Sequence, residues 1–186
     1  DIRFNARLEH IRIQDGAVSA VTVCQNGQTY DLPARHVVLA LGHSARDTFE
    51  MLHRVGLYMV PKPFAMGVRI EHRQSAIDAA QYRSLAGHPA LPPSTYKLSC
   101  HLPNGRSAFS FCVCPGGQVV AAASEPGRTV TNGMSVYARD GENINGALLV
   151  NVTPADFPSD HPLAGIALQR QLETAAYALT GGFAAP

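Results

Sequence analysis

Three groups of side chains in this sequence have the types and spacing for chemistry. The first, Gly42-His43-Ser44-Ala45-Arg46, follows the apolar run Val37-Val38-Leu39-Ala40-Leu41. Glycine lets a phosphate or a ring approach the backbone, and a helix starting at Ala45 offers unpaired amides that favour an anion. His43, Ser44 and Arg46 add side-chain donors; in the plainer reading Ser44 caps, Arg46 pairs with Asp47 or Glu50, and His43 is solvated. The second group is Phe109-Ser110-Phe111-Cys112-Val113-Cys114-Pro115-Gly116-Gly117. Strand alternation puts Cys112 and Cys114 on one face, beside a Pro115-Gly116-Gly117 turn whose amides could meet a substrate carboxylate. One such pair is too few ligands for a closed zinc site, and the histidines lack paired spacing, so no metal centre is expected. Cysteine is commonly a buried packing residue. A disulfide between residues about 6.5 Å apart on an extended strand lies near the upper end of disulfide reach.

The third group is Ser124-Glu125-Pro126-Gly127-Arg128 with Thr131-Asn132-Gly133. Glu125 is the nearby carboxylate suited to proton transfer, with Arg128 and Asn132 lining a pocket. Alternatively, Glu125 and Arg128 pair across a turn, and Asn132-Gly133 is a turn signal. Arg69, among apolar neighbours in a strand, needs a partner, either Glu71 or an anionic substrate. Lys97 sits at the head of another strand; both are residue types that usually end as solvated edge charges.

The elements that would position these groups start with a meander. Phe4 to Ile13 alternates apolar and polar, Asp15-Gly16 turns the chain, Ala17 to Cys24 is a second strand, Asn26-Gly27 turns again, and Gln28 to Leu32 is a third. Val37 to Leu41, apolar without alternation, reads as a strand covered on both faces within a layered sheet. Ala45 to Val55 then reads as a helix capped by Ser44 or His43 and stopped at Gly56. Phe64 to Glu71 is a strand, Gln74 to Leu85 a helix, and Gly87 to Pro93 a loop. Strands follow at Tyr96 to Leu102, Ser107 to Cys114, Gln118 to Ser124 and, after a polar loop from Gly127 to Gly146, Ala147 to Val152. Pro162 to Leu179 is a helix with an apolar stripe through Leu163, Ile166, Leu168, Leu172, Ala175 and Leu179. The fold class is α+β, of α/β derivation: residues 1–60 form one piece and 61–186 a mainly antiparallel β piece with flanking helices.

The 186 residues are 46% hydrophobic and carry a formal net charge of +1, enough for a core and too balanced to concentrate a polyanion. Nucleic acid is therefore a poor fit. No stretch approaches the ~18 uncharged residues of a spanning helix, and four cysteines without a secretory leader read as reduced thiols in the cytoplasm. The start at Asp1-Ile2-Arg3 and the end at Gly181-Gly182-Phe183-Ala184-Ala185-Pro186 read as those of a piece of a longer protein.

A three-stranded antiparallel meander feeding VVLALG resembles the region of two-dinucleotide-binding-domain flavoproteins in which the meander interrupts the FAD-binding Rossmann-like sheet. More specifically, GHSARDTFEML, PKPFAMGVRIEH, the segment from YKLSC through SFCVCPGG to TNGMS, and AGIALQRQLETAAY resemble the central part of the bacterial FAD-dependent dehydrogenases of uncharacterised substrate. The likeness covers nearly the whole chain, and Ser-Phe-Cys-x-Cys-Pro-Gly-Gly is its specific string. It implies that residues 1–60 belong to the FAD-binding domain and 61–186 to a substrate-binding or cap domain. The family's GxGxxG loop, ribose-binding acidic residue and later flavin-side glycine segment are not in this sequence. Gly42, His43, Ser44 and Arg46 map near the cofactor. Arg69, Lys97, Pro115, Gly116, Gly117, Ser124, Arg128 and Asn132 fall on the substrate side, with Glu125, Cys112 and Cys114 as catalytic candidates.

The leading expectation is the substrate-binding portion of an FAD-dependent oxidoreductase that moves a hydride between an organic substrate and FAD. Its partners would be that small molecule and the rest of the flavoprotein chain; alone it would hold FAD weakly and be inactive. The alternative is a non-catalytic module that binds an anion or a protein edge without flavin, and a third reading is a thiol-redox domain using Cys112 and Cys114. Sheet edges left open in such a piece favour dimerisation.

Overall fold

Ala6–Gln14 (β1), Ala17–Gln25 (β2) and Gln28–Pro33 (β3) form the meander that the turn residues require. Asp15, Gly16, Asn26 and Gly27 all take positive φ, as two-residue hairpins with the twist of their strands demand. One helix, Arg46–Arg54 (α1), packs on this sheet. Its end is a Schellman motif: the Leu57 amide donates to the Leu52 carbonyl and the Gly56 amide to that of His53, with Gly56 at φ 84°. Ile11, Met51 and Leu52 are the buried centre, with Leu8, Val21 and Phe49 packed around them.

The computed structural model describes residues 1–181, so the last five residues of the expected unfinished tail lie outside the described residues. It divides into two compact units, Asp1–Pro61 with His161–Ile166, and Lys62–Asp160 with the chain from Ala167. The short stretch His161–Ile166 thus groups with the first unit, although sequence reading places it in the later piece.

Two expectations for the first unit fail. Residues 37–41 form no strand: Val37 and Leu41 pack on the core while Val38 is 91% exposed. A doubly covered strand draws its hydrogen bonds from strands on both sides, and no described strand lies alongside. The first helix is capped by neither Ser44 nor His43. Ala45 holds the N-cap position without a side-chain hydrogen bond, and the Arg46 amide donates to the Ser44 carbonyl.

The second unit is a five-stranded antiparallel sheet built from Phe64–Arg73 (β4), Ser99–His101 (β5), Ser107–Ala121 (β6), Thr131–Ser135 (β7) and Asn143–Val152 (β8). The order is β4-β8-β6-β5, with β7 also paired to β6. Gln74–Tyr82 (α2) continues directly from β4, and Ala164–Thr180 (α3) closes the described chain. The expected strand from Tyr96 shrinks to β5, and the polar loop contains β7 and the start of β8. Pro115-Gly116-Gly117 is not a turn: β6 continues through it.

The stripe on α3 is also turned. Leu172 is 44% and Leu179 88% exposed, Ala175 is exposed, and Glu173 is buried. Polar anchors set this rotation: Arg170 donates to Glu125, and the Thr129 amide donates to the Glu173 carbonyl.

One ion pair fastens the far end of β6. Arg106 grips Asp156 with both terminal guanidinium nitrogens and also donates to the Asn151 carbonyl, while the Thr153 amide donates to the same carboxylate. Arg106 first and the Thr153 amide second hold the Asp156 carboxyl down from its usual 3.8 to about 2. A depressed carboxyl stabilises the fold above its unfolded pKa and loses that contribution as pH falls through its folded one. The stability difference between the native protein and Asp156→Asn is therefore expected to be full near neutral pH, to shrink below 3.8, and to disappear below about 2. Urea unfolding midpoints of the two proteins across that range check it; a gap that persists at the acid end would show that the lost contact is not this ion pair.

Candidate functional site

Along β6 the register against β8 slips twice. Phe111 faces Ala147, Cys114 faces Asn145 and Gly117 faces Asn143, so each time three steps on β6 match two on β8. Each slip is a bulge, which bends a strand and re-aims its side chains. The first bulge contains Cys112 in the left-handed region at φ 45°, and the second contains Gly116 at φ 54°. Strict alternation is thereby broken. Cys112 is exposed and Cys114 buried, where one shared face was expected.

Inside this bend the donors and acceptors are specific. Gly116, Gly117 and Gly133 leave no room for a side chain: a Cβ would strike the Arg139 carbonyl, the Met134 carbonyl, or the Arg69 and Asn145 side chains, respectively. The Gly116 amide, expected to be free for a substrate, donates instead to Gln74 Oε1 at 2.9 Å. Gln74 in turn donates to Asp78 and to the Ser94 carbonyl, and Ser94 donates to Asp78 through its amide and its hydroxyl. Burial works against ionisation of Asp78, but the Ser94 and Gln74 donors outweigh it and its pKa lies below the usual value. The Ser135 hydroxyl donates to the Pro115 carbonyl at 2.8 Å.

Arg69 is the hub. It donates to Asn145 Oδ1 and, at 3.1 Å, to the Cys112 carbonyl. Glu71, the partner that the sequence offers within the chain, instead accepts from the Val119 amide. Asn145 is 0% exposed, and its Nδ2 finds no acceptor among the described residues; the same holds for the buried Tyr96 Oη. Burial pushes the Tyr96 phenol up while the Arg69 charge opposes this. Burial likewise raises the Cys114 thiol, with Cys112 adding to the rise and Arg69 countering it. The bend thus collects a guanidinium, two buried donors and a thiol pair.

Of the residues marked in the sequence, Arg69, Cys112, Cys114, Pro115, Gly116 and Gly117 meet at this bend. Asn132 is exposed, its side-chain Oδ1 accepting from the Gly133 amide, and only its neighbour Gly133 enters the cluster. Glu125 and Arg128 form a separate cluster in which the Glu125 carboxylate accepts from Arg128 and from Arg170 at 2.9 Å. Ser124 and Lys97 are exposed. Gly42, His43 and Ser44 are exposed in the first unit, where Arg46 is buried at 4% exposure. Asn145, Gln74 and Tyr96 were not singled out. Gly133 and Gly146 carry the signal that locates them, because a Cβ at Gly146 would strike the Tyr96 hydroxyl.

The second unit also holds a cleft of about 610 Å³ between β4 and α3. Met66, Val68, Leu172 and Leu179 make its apolar side, and Arg69 and Glu71 contribute polar groups.

Residues 63–186 match the model of the family described as FAD-dependent protein, C-terminal domain-like. Over 183 residues, 98% of this chain, the sequence is 48% identical to a protein of Clostridium beijerinckii described as uncharacterised, and the chain spans 34% of that protein's length.

Proposed function

We propose that this chain, which belongs to the family of the FAD-dependent protein C-terminal domain, is the substrate-facing part of an oxidoreductase that moves a hydride between an organic substrate and FAD. The observation that carries this reading is the overlap of the family match with the unit that builds the bend around Arg69. In the same reading residues 1–60 go with the FAD-binding domain and 61–186 with the substrate or cap domain.

The fit of this chain's own residues to FAD is partial. A pyrophosphate needs a glycine turn between a paired strand and a helix N-terminus. Here Gly42, at φ 69° with open space where a Cβ would stand, precedes α1, but residues 37–41 have no strand partners among the described residues. The described residues form no dinucleotide cradle, so the larger share of FAD binding is assigned to other parts of the full-length protein. Bound FAD would supply the hydride acceptor or donor. Arg69 would fix Asn145 and the Cys112 carbonyl, and the Asn145 and Tyr96 donors suit an acceptor oxygen or nitrogen. The cleft between β4 and α3 suits an apolar organic body beside the Arg69 charge.

Flavin titration, followed by FAD absorbance and fluorescence, tests the reading on both this chain and the full-length protein. Tight binding is expected from the full-length protein, and weak or no binding from the chain alone. Tight binding by the chain would move the flavin site to Gly42–Arg46. Binding by neither would remove the flavoprotein reading and leave a binding module without flavin.

A further inference from the structure

We propose that Cys112 and Cys114 form a reversible dithiol–disulfide couple at the bend of β6, in which the exposed Cys112 attacks and the buried Cys114 resolves. The couple needs no flavin and stands apart from the reading above.

On a regular strand residues two apart lie about 6.5 Å from each other, near the limit of disulfide reach. The strand here is not regular. An extra residue lies between Phe111 and Cys114 relative to β8 and Cys112 is left-handed, so the regular alternation and spacing do not hold between the two cysteines, and the Cys112 side chain is an interaction partner of the Cys114 thiol. The Cys114 sulfur turns back toward residue 112 and lies 3.4 Å from its carbonyl oxygen. A non-glycine residue in the left-handed region is strained, and backbone strain of this kind concentrates at functional positions. Arg69, bonded to the Cys112 carbonyl, supplies positive charge beside the pair, which opposes the burial penalty on a Cys114 thiolate.

The oxidant is a small-molecule disulfide. Cys112 gives its proton to solvent, and its thiolate attacks one sulfur of that disulfide. A mixed disulfide forms on Cys112, and the first small thiolate leaves and takes up a proton. Cys114, deprotonated in turn, attacks the Cys112 sulfur, forms the 112–114 bond and expels the second small thiolate, which is also protonated. The protein loses two protons and two electrons, together two hydrogen atoms, and one small disulfide becomes two thiols. A small thiol in excess reverses both steps.

The test equilibrates the full-length protein with glutathione at a series of oxidised-to-reduced ratios, quenches with acid, alkylates, and reads the peptide containing residues 112 and 114 by mass spectrometry. Exposed Cys100, whose thiol donates to the His101 carbonyl and has no second cysteine beside it in sequence, is the internal reference for a thiol without a resolving neighbour. In the native protein the peptide is expected to lose two hydrogens and to carry little glutathione. Cys114→Ser is expected to raise glutathione trapped on Cys112 by about tenfold or more, since the resolving thiol is gone. Cys112→Ser, a change at an exposed position, is expected to leave Cys114 unmodified at ratios that modify Cys100. The proposal is overturned if native Cys112 and Cys114 are both alkylated at ratios where Cys100 carries glutathione. It is equally overturned if Cys112 holds as much glutathione in the native protein as in Cys114→Ser. The native-protein result decides the matter even where Cys114→Ser does not fold.

Discussion

Gly116→Ala is expected to lower the unfolding midpoint by about 10 °C, against about 3 °C for Gly127→Ala. Both glycines have left-handed backbones, φ 54° and 70°, so both substitutions carry the roughly 1 kcal/mol that an L-residue loses there. Their surroundings differ. A Cβ at Gly127 meets nothing within 4 Å, whereas one at Gly116 strikes the backbone carbonyl of Arg139. Backbone cannot rotate aside as a side chain can, so overpacking adds about 1–3 kcal/mol and the total comes to about 2–4 kcal/mol. The shift also pulls the Gly116 amide from Gln74, and with it the link to Asp78 and Ser94. Thermal unfolding of the two variants side by side is the measurement. Equal shifts would mean that φ alone, and not the close approach of the chain to residue 139, requires glycine at the second bulge.

Arg69→Met is expected to cost about 3 kcal/mol, and Asn145→Leu placed in the same chain is expected to restore more than half of it. Methionine keeps an apolar stem but gives up the bonds to Asn145 and to the Cys112 carbonyl. Hydrogen bonds to a charged group contribute about 1.5–3 kcal/mol, and the partner left behind is fully buried. Leucine approximates the shape of asparagine without a polar group to strand. Removing both ends of a buried pair is therefore milder than removing one, and the double-mutant cycle should give a coupling of about 1–3 kcal/mol. Urea unfolding of the two single variants, the double variant and the native protein measures it. Simple additivity would mean that Arg69 holds the bend through the Cys112 carbonyl alone.

The local signals in the sequence led to the right elements wherever short-range geometry decides. Asp15-Gly16 and Asn26-Gly27 set the hairpins because their backbone demands are met within the turn. Gly56 ends α1 for the same reason. The site was legible in part. Cys112, Cys114 and the glycines beside them stand out by type, yet Pro115-Gly116-Gly117 reads locally as a reversal. Only the pairing with β8 and β7 makes it a bulged strand in which glycine serves close packing. Asn145 was hidden more deeply. Between Asn143, Ile144 and Gly146 it looks like loop, and its burial depends on Arg69, 76 positions away. Residues 37–41 show the opposite failure: a strong strand composition produces no strand where no described neighbour pairs with it.

The strand order of the second unit has a consequence for how the protein is made. β8 lies between β4 and β6, so an inner strand of this sheet is the last of its described strands to leave the ribosome. Until residues 143–152 emerge, β4 and β6 each have an open edge there and no partner to fill it. Phe64 must wait for Val152, and Ala108 for Val150, before either ladder can close. Sheet formation is then a single late insertion, which closes two ladders at once and is slow because both contacts span long stretches of chain. Between the emergence of β6, which ends at Ala121, and that of β8, which ends at Val152, two unpaired edges are exposed at once, the species on which holding chaperones and misassembly compete.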